Sequence, residues 1–131
     1  MGRNIANSSE IKEIFMKAKV GRLGVCLNNK PYVVPIGFVY HNGKIYFHST
    51  DTGRKIRIMK VNPSVCFEVD EYELMPNLDP CKFTFRYCSA IAFGKVRFLE
   101  TKKDKMAVLN VMMNKYDPSH IAKPLNGAHK C

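Results

Sequence analysis

Residues 45–63 read IYFHSTDTGRKIRIMKVNP. Ile45–His48 is predicted as a strand, Ser49–Gly53 as a polar turn, and the residues from Arg54-Lys55 onward as a short basic helix. The helix must stop near Asn62-Pro63, because a residue before proline is pushed out of the helical region. The turn offers hydroxyls from Ser49, Thr50 and Thr52. A helix N-terminus adds free backbone N–H groups, and Arg and Lys in the first turn add a fork and a point charge. Two cations there oppose the helix dipole unless an anion sits with them. The segment therefore reads either as a phosphate site or as a solvated basic helix on a basic protein.

Working outward from this segment, Asn42-Gly43 is a two-residue hairpin signal leading back to a strand over Tyr32–Tyr40. Pro35 lies within that strand and marks it as an edge or a bulge, since proline cannot donate to a ladder. Asn28-Asn29 turns back to a strand through Leu23, Val25 and Leu27. These three strands are expected to form one meander. Before them, Asn7-Ser8-Ser9-Glu10 fits a capping box, and Ile11, Ile14, Phe15 and Ala18 make the buried stripe of a first helix.

On the far side, Val65–Val69 is a strand, and 70–81 (DEYELMPNLDPC) reads as an exposed, proline-bearing loop. Phe83–Leu99 is one long strand in which Gly94 suggests a bulge or a close approach. Thr101 caps a last helix with Met106, Leu109, Met112, Met113 and Tyr116 on its apolar stripe, ended by Asp117-Pro118. Residues 118–131 have no period and are expected to be a flexible tail. The order predicts a mainly β chain with flanking helices, antiparallel strands curling into a small barrel, and one domain over 1–131.

The totals narrow the function. The 131 residues are 46% hydrophobic and 24% charged, with no bilayer-spanning run or leader, which gives a cytoplasmic expectation. The five cysteines are odd in number and lack CxxC spacing, so reduced thiols are expected, with neither a disulfide framework nor a metal site. A net charge of +10 invites nucleic acid as a partner, but the cations are scattered and no RNA- or DNA-binding motif is present. No Ser-His-Asp or paired-carboxylate arrangement stands out.

The run PYVVPIGFVYHNGKIYFHSTDTGRKIRIMKVNPSVCFEV (31–69) and the later RYCSAIAFGKVRFLE (86–100) carry a resemblance. A proline in the second strand, His48-Ser49 at the end of an aromatic strand, Gly53-Arg54-Lys55, Asn62-Pro63 and then Ser89 and Phe93-Gly94 occur in order over about 10–117. In this the chain resembles the pyridoxamine 5′-phosphate oxidase-related flavoproteins with the FMN-binding split-barrel fold, especially the nitroimidazole-resistance branch.

The resemblance implies a homodimer binding FMN at its interface. The phosphate would lie against Ser49, Thr50, Arg54 and Lys55. The ring would lie along the backbone of Val33, Val34, Pro35 and Ile36, and Ser89 would reach it from the other subunit. His48 would face the flavin as the candidate catalytic residue; a strand-end histidine bonded to a carbonyl is the plainer alternative. The implied activity is reduction of a small electron-poor, nitroaromatic-type compound with NAD(P)H. The alternative is a non-catalytic flavin carrier or sensor. The family pattern continues into one more barrel strand, for which 118–131 offers no alternating apolar run.

Overall fold

A computed structural model describes residues 8–75 and 84–117. In chain order the elements are α1 (Ser8–Lys17), β1 (Val20–Leu27), β2 (Lys30–Gly37), β3 (Val39–His41), β4 (Lys44–Tyr46), α2 (Arg54–Val61), β5 (Ser64–Met75), β6 (Thr84–Lys95) and α3 (Lys102–Tyr116). The expected Asn7 cap, the second half of the 70–81 loop (76–81), Phe83 and the 118–131 tail lie outside the described residues.

Four strands form an antiparallel sheet in the order β2-β1-β5-β6, and β3 and β4 form a separate two-stranded ribbon. Both tight hairpins are made by left-handed residues: Asn28 (φ 53) with Asn29 (φ 60), and Asn42 (φ 51) with Gly43 (φ 75). Side chains that can bond their own backbone, or no side chain at all, make those angles inexpensive.

Alternation sorts the large sheet into two faces. Gly21, Leu23 and Val25 of β1 and Phe67 and Val69 of β5 point inward and are buried. Arg22, Gly24, Cys26, Cys66, Glu68 and Asp70 point outward. The inner face packs on Ile14 and Phe15 of α1, on Ile56, Ile58 and Met59 of α2, and on Phe38. Phe38 is fully enclosed, with its ring 4.9 Å from that of Phe67 and 6.5 Å from that of Phe15, both edge to face. Gly21 is required at its position: a Cβ there would lie 2.3 Å from Cζ of Phe67.

Several expectations are corrected. The strand expected over Tyr32–Tyr40 is divided at Phe38, so the three strands do not make one meander. The cause is visible at Phe38, whose N–H donates to the Tyr116 hydroxyl (2.7 Å) and whose carbonyl accepts from Tyr116 (2.9 Å) and from Lys115 Nζ (2.9 Å). Both backbone polar groups of Phe38 are taken by α3, and the ladder cannot pass through that residue. The Tyr116 hydroxyl also reaches the carbonyl of Lys19 at 2.7 Å, so one side chain joins α3, the start of β1 and the β2–β3 corner. Lys115 stands 3.7 Å over the Phe38 ring. Burial, and then the charge of Lys19, lower its pKa to about 8.

Strand β4 stops at Tyr46, two residues before His48. Residues 70–75, expected in a loop, continue β5, because β6 pairs with it through Met75↔Thr84. Strand β6 ends at Lys95 rather than Leu99. Gly94 makes no bulge, since it pairs in register with Val65, and among the described residues no atom lies within 4 Å of where its Cβ would be. Ile11 of the α1 stripe is 39% exposed, so the buried face of that helix narrows to Ile14 and Phe15. Other readings hold. Pro35 sits on β2, an edge strand of the large sheet. Thr101 caps α3 by accepting from Asp104 N at 3.2 Å. Asn62 ends α2 and ties it to β1 through a bond to the Cys26 carbonyl at 2.8 Å. The two sheets are not joined by a ladder among the described residues, so the barrel is split rather than closed.

Candidate functional site

The chain leaves β4 at Tyr46, passes Phe47 to Thr52 without regular structure, and enters α2 at Arg54 through Gly53. Gly53 has φ 125, a conformation that side chains rarely adopt and glycine takes freely. Among the described residues no side chain caps α2, and its first turn holds no acid, so its leading N–H groups have no side-chain acceptor there.

The predicted residues divide among four places. Ser49 stands at the turn, and its hydroxyl oxygen is buried without a hydrogen bond among the described residues. A buried hydroxyl without a partner is costly and marks a place where a ligand atom would be welcome. Thr50 is exposed, and its hydroxyl donates to the Thr52 carbonyl at 2.8 Å, closing the turn on itself. Arg54 is exposed, with its guanidinium 4.4 Å from the centre of the Tyr32 ring, and Lys55 beside it is half-buried. Neither pairs with a carboxylate among the described residues. This cation–π contact keeps the guanidinium next to Tyr32 of β2.

The second place is β2 itself. Val34 and Ile36 turn inward against the core, while Val33 and Pro35 face out. Since β2 is an edge, its outer backbone groups are not used by a neighbouring strand of the sheet. Arg54 over Tyr32 is the contact that brings the helix start and this strand together.

The third place belongs to His48, which lies past the end of β4 rather than within it. It is exposed, and no hydrogen bond holds its ring among the described residues, so the plainer alternative of a bond to a neighbouring carbonyl is absent there. With Ser49 and Thr50 it borders a cavity of about 630 Å³ between the β3–β4 ribbon, the end of β6 and the start of α3. Arg54, Lys55, residues 33–36 and Ser89 do not line that cavity. Ser89 occupies the fourth place, on the outer face of β6 opposite Asp70. It stands at the opposite edge of the sheet from β2, three strand spacings or about 14 Å away. The structure does not bring it to the other candidates within one chain.

Sequence reasoning missed a charged group at the middle of the outer face. Arg22 Nε and Nη2 donate to Glu68 Oε1 at 3.0 and 2.8 Å, and Nη2 also donates to Asp70 Oδ1. The bond to Glu68 is the main cause that raises the Arg22 pKa above its ordinary value. Around it the face carries exposed apolar side chains: Val33, Tyr72, Tyr87, Ile91 and Phe93, the last 82% exposed. The sequence signal was alternation: the outward positions of β6 are Tyr87, Ser89, Ile91 and Phe93, too apolar for a solvated face. Among the described residues no cluster of His, Cys, Asp or Glu fits a metal. Cys26, Cys66 and Cys88 are free. No helix among the described residues is long and apolar enough to cross a membrane.

Two antiparallel sheets that meet without closing, with α2 packed on β1 and the core, define an antiparallel split barrel with flanking helices. The chain belongs to the pyridoxamine 5′-phosphate oxidase family, whose model matches residues 7–129. A solved structure of a candidate 5-nitroimidazole antibiotic resistance protein from Bacteroides thetaiotaomicron is 32% identical to it. The match covers 86% of this chain and 68% of that one, with a TM-score of 0.75. The FAD and heme binding protein from Mycobacterium smegmatis is 16% identical and shows the shared fold, with a TM-score of 0.75 over 96% of this chain and 61% of that one. An uncharacterized protein of Rhizobium meliloti (strain 1021) is 28% identical over 68 residues, 52% of this chain and 44% of its own length. The chain thus matches less than half the length of that curated relative.

Proposed function

We propose that this chain, as a single domain, binds a flavin, specifically FMN, and acts as a homodimeric oxidoreductase on a small electron-poor compound with NAD(P)H as donor. The observation that carries the reading is the buried Ser49 hydroxyl, without a hydrogen bond among the described residues, five positions before an uncapped helix start whose Arg54 and Lys55 pair with no carboxylate among those residues. That set fits a phosphate dianion in chemistry. Ser49 donates a hydrogen bond, Arg54 a guanidinium fork, Lys55 a point charge and α2 its leading N–H groups. Thr50 shapes the turn through its bond to Thr52. A flat ring would lie along β2, where residues 33–36 offer edge backbone and Val33 and Pro35 an apolar outer surface.

A bound flavin supplies the hydride and electron transfer, and the protein's part is to hold it, orient it and limit water around it. His48, exposed and unheld, is the candidate to place a substrate or hand over a proton. The apolar outer face of the sheet supports the homodimer, since so much exposed aromatic and aliphatic surface is characteristic of an interface. On this reading Ser89, at the far edge, serves the partner's flavin. The 32% identical relative described as a nitroimidazole-resistance candidate supports the substrate class.

The test is colour and retention. Purified protein is expected to show flavin absorption and to bleach when NADH or NADPH is added. Arg54→Ala and Lys55→Ala should each weaken FMN retention at least roughly tenfold, the effect of losing a charge-assisted contact, while His48→Ala retains it. A colourless protein that takes up no added FMN overturns the reading. Flavin that resists bleaching by both nucleotides favours the non-catalytic carrier or sensor.

A further inference from the structure

The interior of the cavity between the β3–β4 ribbon, the end of β6 and the start of α3 is left free by the flavin site proposed above. The flavin site touches it only at the rim formed by His48, Ser49 and Thr50. Its volume of about 630 Å³ lies in the range of small-molecule sites. Its walls include Phe15, Tyr40, Phe47, Phe98, Val108 and Leu109. Phe15 and Leu109 are buried core residues, so the cavity runs from the surface to the core.

The charge around it is one-sided. Lys44, Lys95, Arg97 and Lys105 line it and are exposed, which puts their charges where the cavity meets solvent. The carboxylate among its lining residues is Asp51. None of the four cations forms a salt bridge among the described residues. Free cations around an apolar hollow lower the energy of an anionic group held there, more so where the walls exclude water. An apolar body with one anionic end satisfies both halves of the site.

We propose that this cavity is a second binding site, sharing only the His48–Thr50 rim with the flavin site, for an amphipathic small-molecule anion. The ligand is an alkyl or aryl chain bearing a single carboxylate or sulfonate. The apolar chain lies against Phe15, Phe47 and Leu109, and the anion pairs with Arg97 and Lys105. The site does not depend on the flavin reading, and the two fail separately: one is followed by flavin absorption, the other by heat of binding.

The test is calorimetric titration of the full chain with dodecanoate, with dodecanol as the neutral control, with and without FMN. One dodecanoate per chain is expected, bound at least roughly tenfold tighter than dodecanol, the effect of one charge-assisted contact. Arg97→Glu combined with Lys105→Glu should abolish the preference for the anion. Leu109→Trp should weaken both ligands by filling the cavity. Should that core change unfold the chain, Val108→Phe on the same helix gives the same loss. Equal affinity for the acid and the alcohol, or an unchanged affinity in the folded cavity-filling variant, overturns the proposal. So does a full chain that binds no dodecanoate, in which case the cavity is filled by polypeptide.

Discussion

Tyr116→Phe removes one oxygen and leaves the ring in place. That hydroxyl accepts from Phe38 N at 2.7 Å and shares its single proton between the carbonyls of Lys19 (2.7 Å) and Phe38 (2.9 Å). After the change the Phe38 carbonyl keeps Lys115 Nζ at 2.9 Å, so its loss is small. The Phe38 N–H loses its hydrogen bond, and Phe38 is fully buried. A buried donor left unsatisfied costs about 1–3 kcal/mol. Tyr116 is 41% exposed, so water reaches part of the site and the lower half of that range, about 1–2 kcal/mol, is expected. For a chain of this size that is a fall in Tm of about 5 °C. Urea and thermal unfolding would measure it, and amide hydrogen exchange would locate it, with Phe38 losing protection. An unchanged midpoint together with a Phe38 amide still protected would refute the view that this hydroxyl is what divides β2 from β3.

Three further outcomes follow from the same structure. Gly21→Ala drives a methyl into the Phe67 ring and should cost about 1–3 kcal/mol, whereas Gly94→Ala meets open space and should change stability by less than about 0.5 kcal/mol; equal effects in parallel urea melts would contradict the packing. A double-mutant cycle on Arg22→Leu and Glu68→Leu should give a coupling of about 1 kcal/mol, because both side chains are about one-third exposed, and it should shrink in 1 M salt. For Lys115, a pKa lowered to about 8 means that the unfolded chain binds the extra proton between there and the ordinary 10.5. Stability should therefore rise with pH across that window in the wild type relative to Lys115→Met. Lysine NMR titration should find one ammonium near 8, and a set titrating wholly above 10 would contradict it.

Much of this architecture is written locally. Both Asn-led hairpins, the Gly53 entry to α2, its exit at Asn62-Pro63 and the Thr101 cap depend on residues within a few positions of one another, and all are where the sequence places them. What the sequence does not disclose depends on distant pairs. Arg22 meets Glu68 across 46 positions, and Phe38 meets Tyr116 across 78. A run of apolar residues from 32 to 40 has no local reason to break at Phe38; the reason arrives from α3. Strand β5 likewise runs on past Val69 into an acidic stretch because β6 is there to pair with it, and pairing overrides composition. The candidate site splits the same way. Ser49, Arg54 and Lys55 were legible from chemistry at a helix start, whereas the stacking of Arg54 on Tyr32 and the hollow bordered by His48 depend on how the elements meet.

The proline content of β2 has a consequence for the fate of the chain at high concentration. Lys30–Gly37 is an edge strand, and an open edge is where a second molecule can zip on and start a fibre. Pro31 and Pro35 lie within its ladder to β1, opposite Cys26 and Arg22. A proline keeps a place in a ladder when its nitrogen turns toward the unpaired side. Two of the donors that an incoming strand would need are therefore missing at alternate positions of the same rim. The edge keeps its carbonyls and the Val33 N–H for a compact partner but cannot offer a continuous zipper to another copy of itself, so the chain resists fibre growth there while keeping that rim usable.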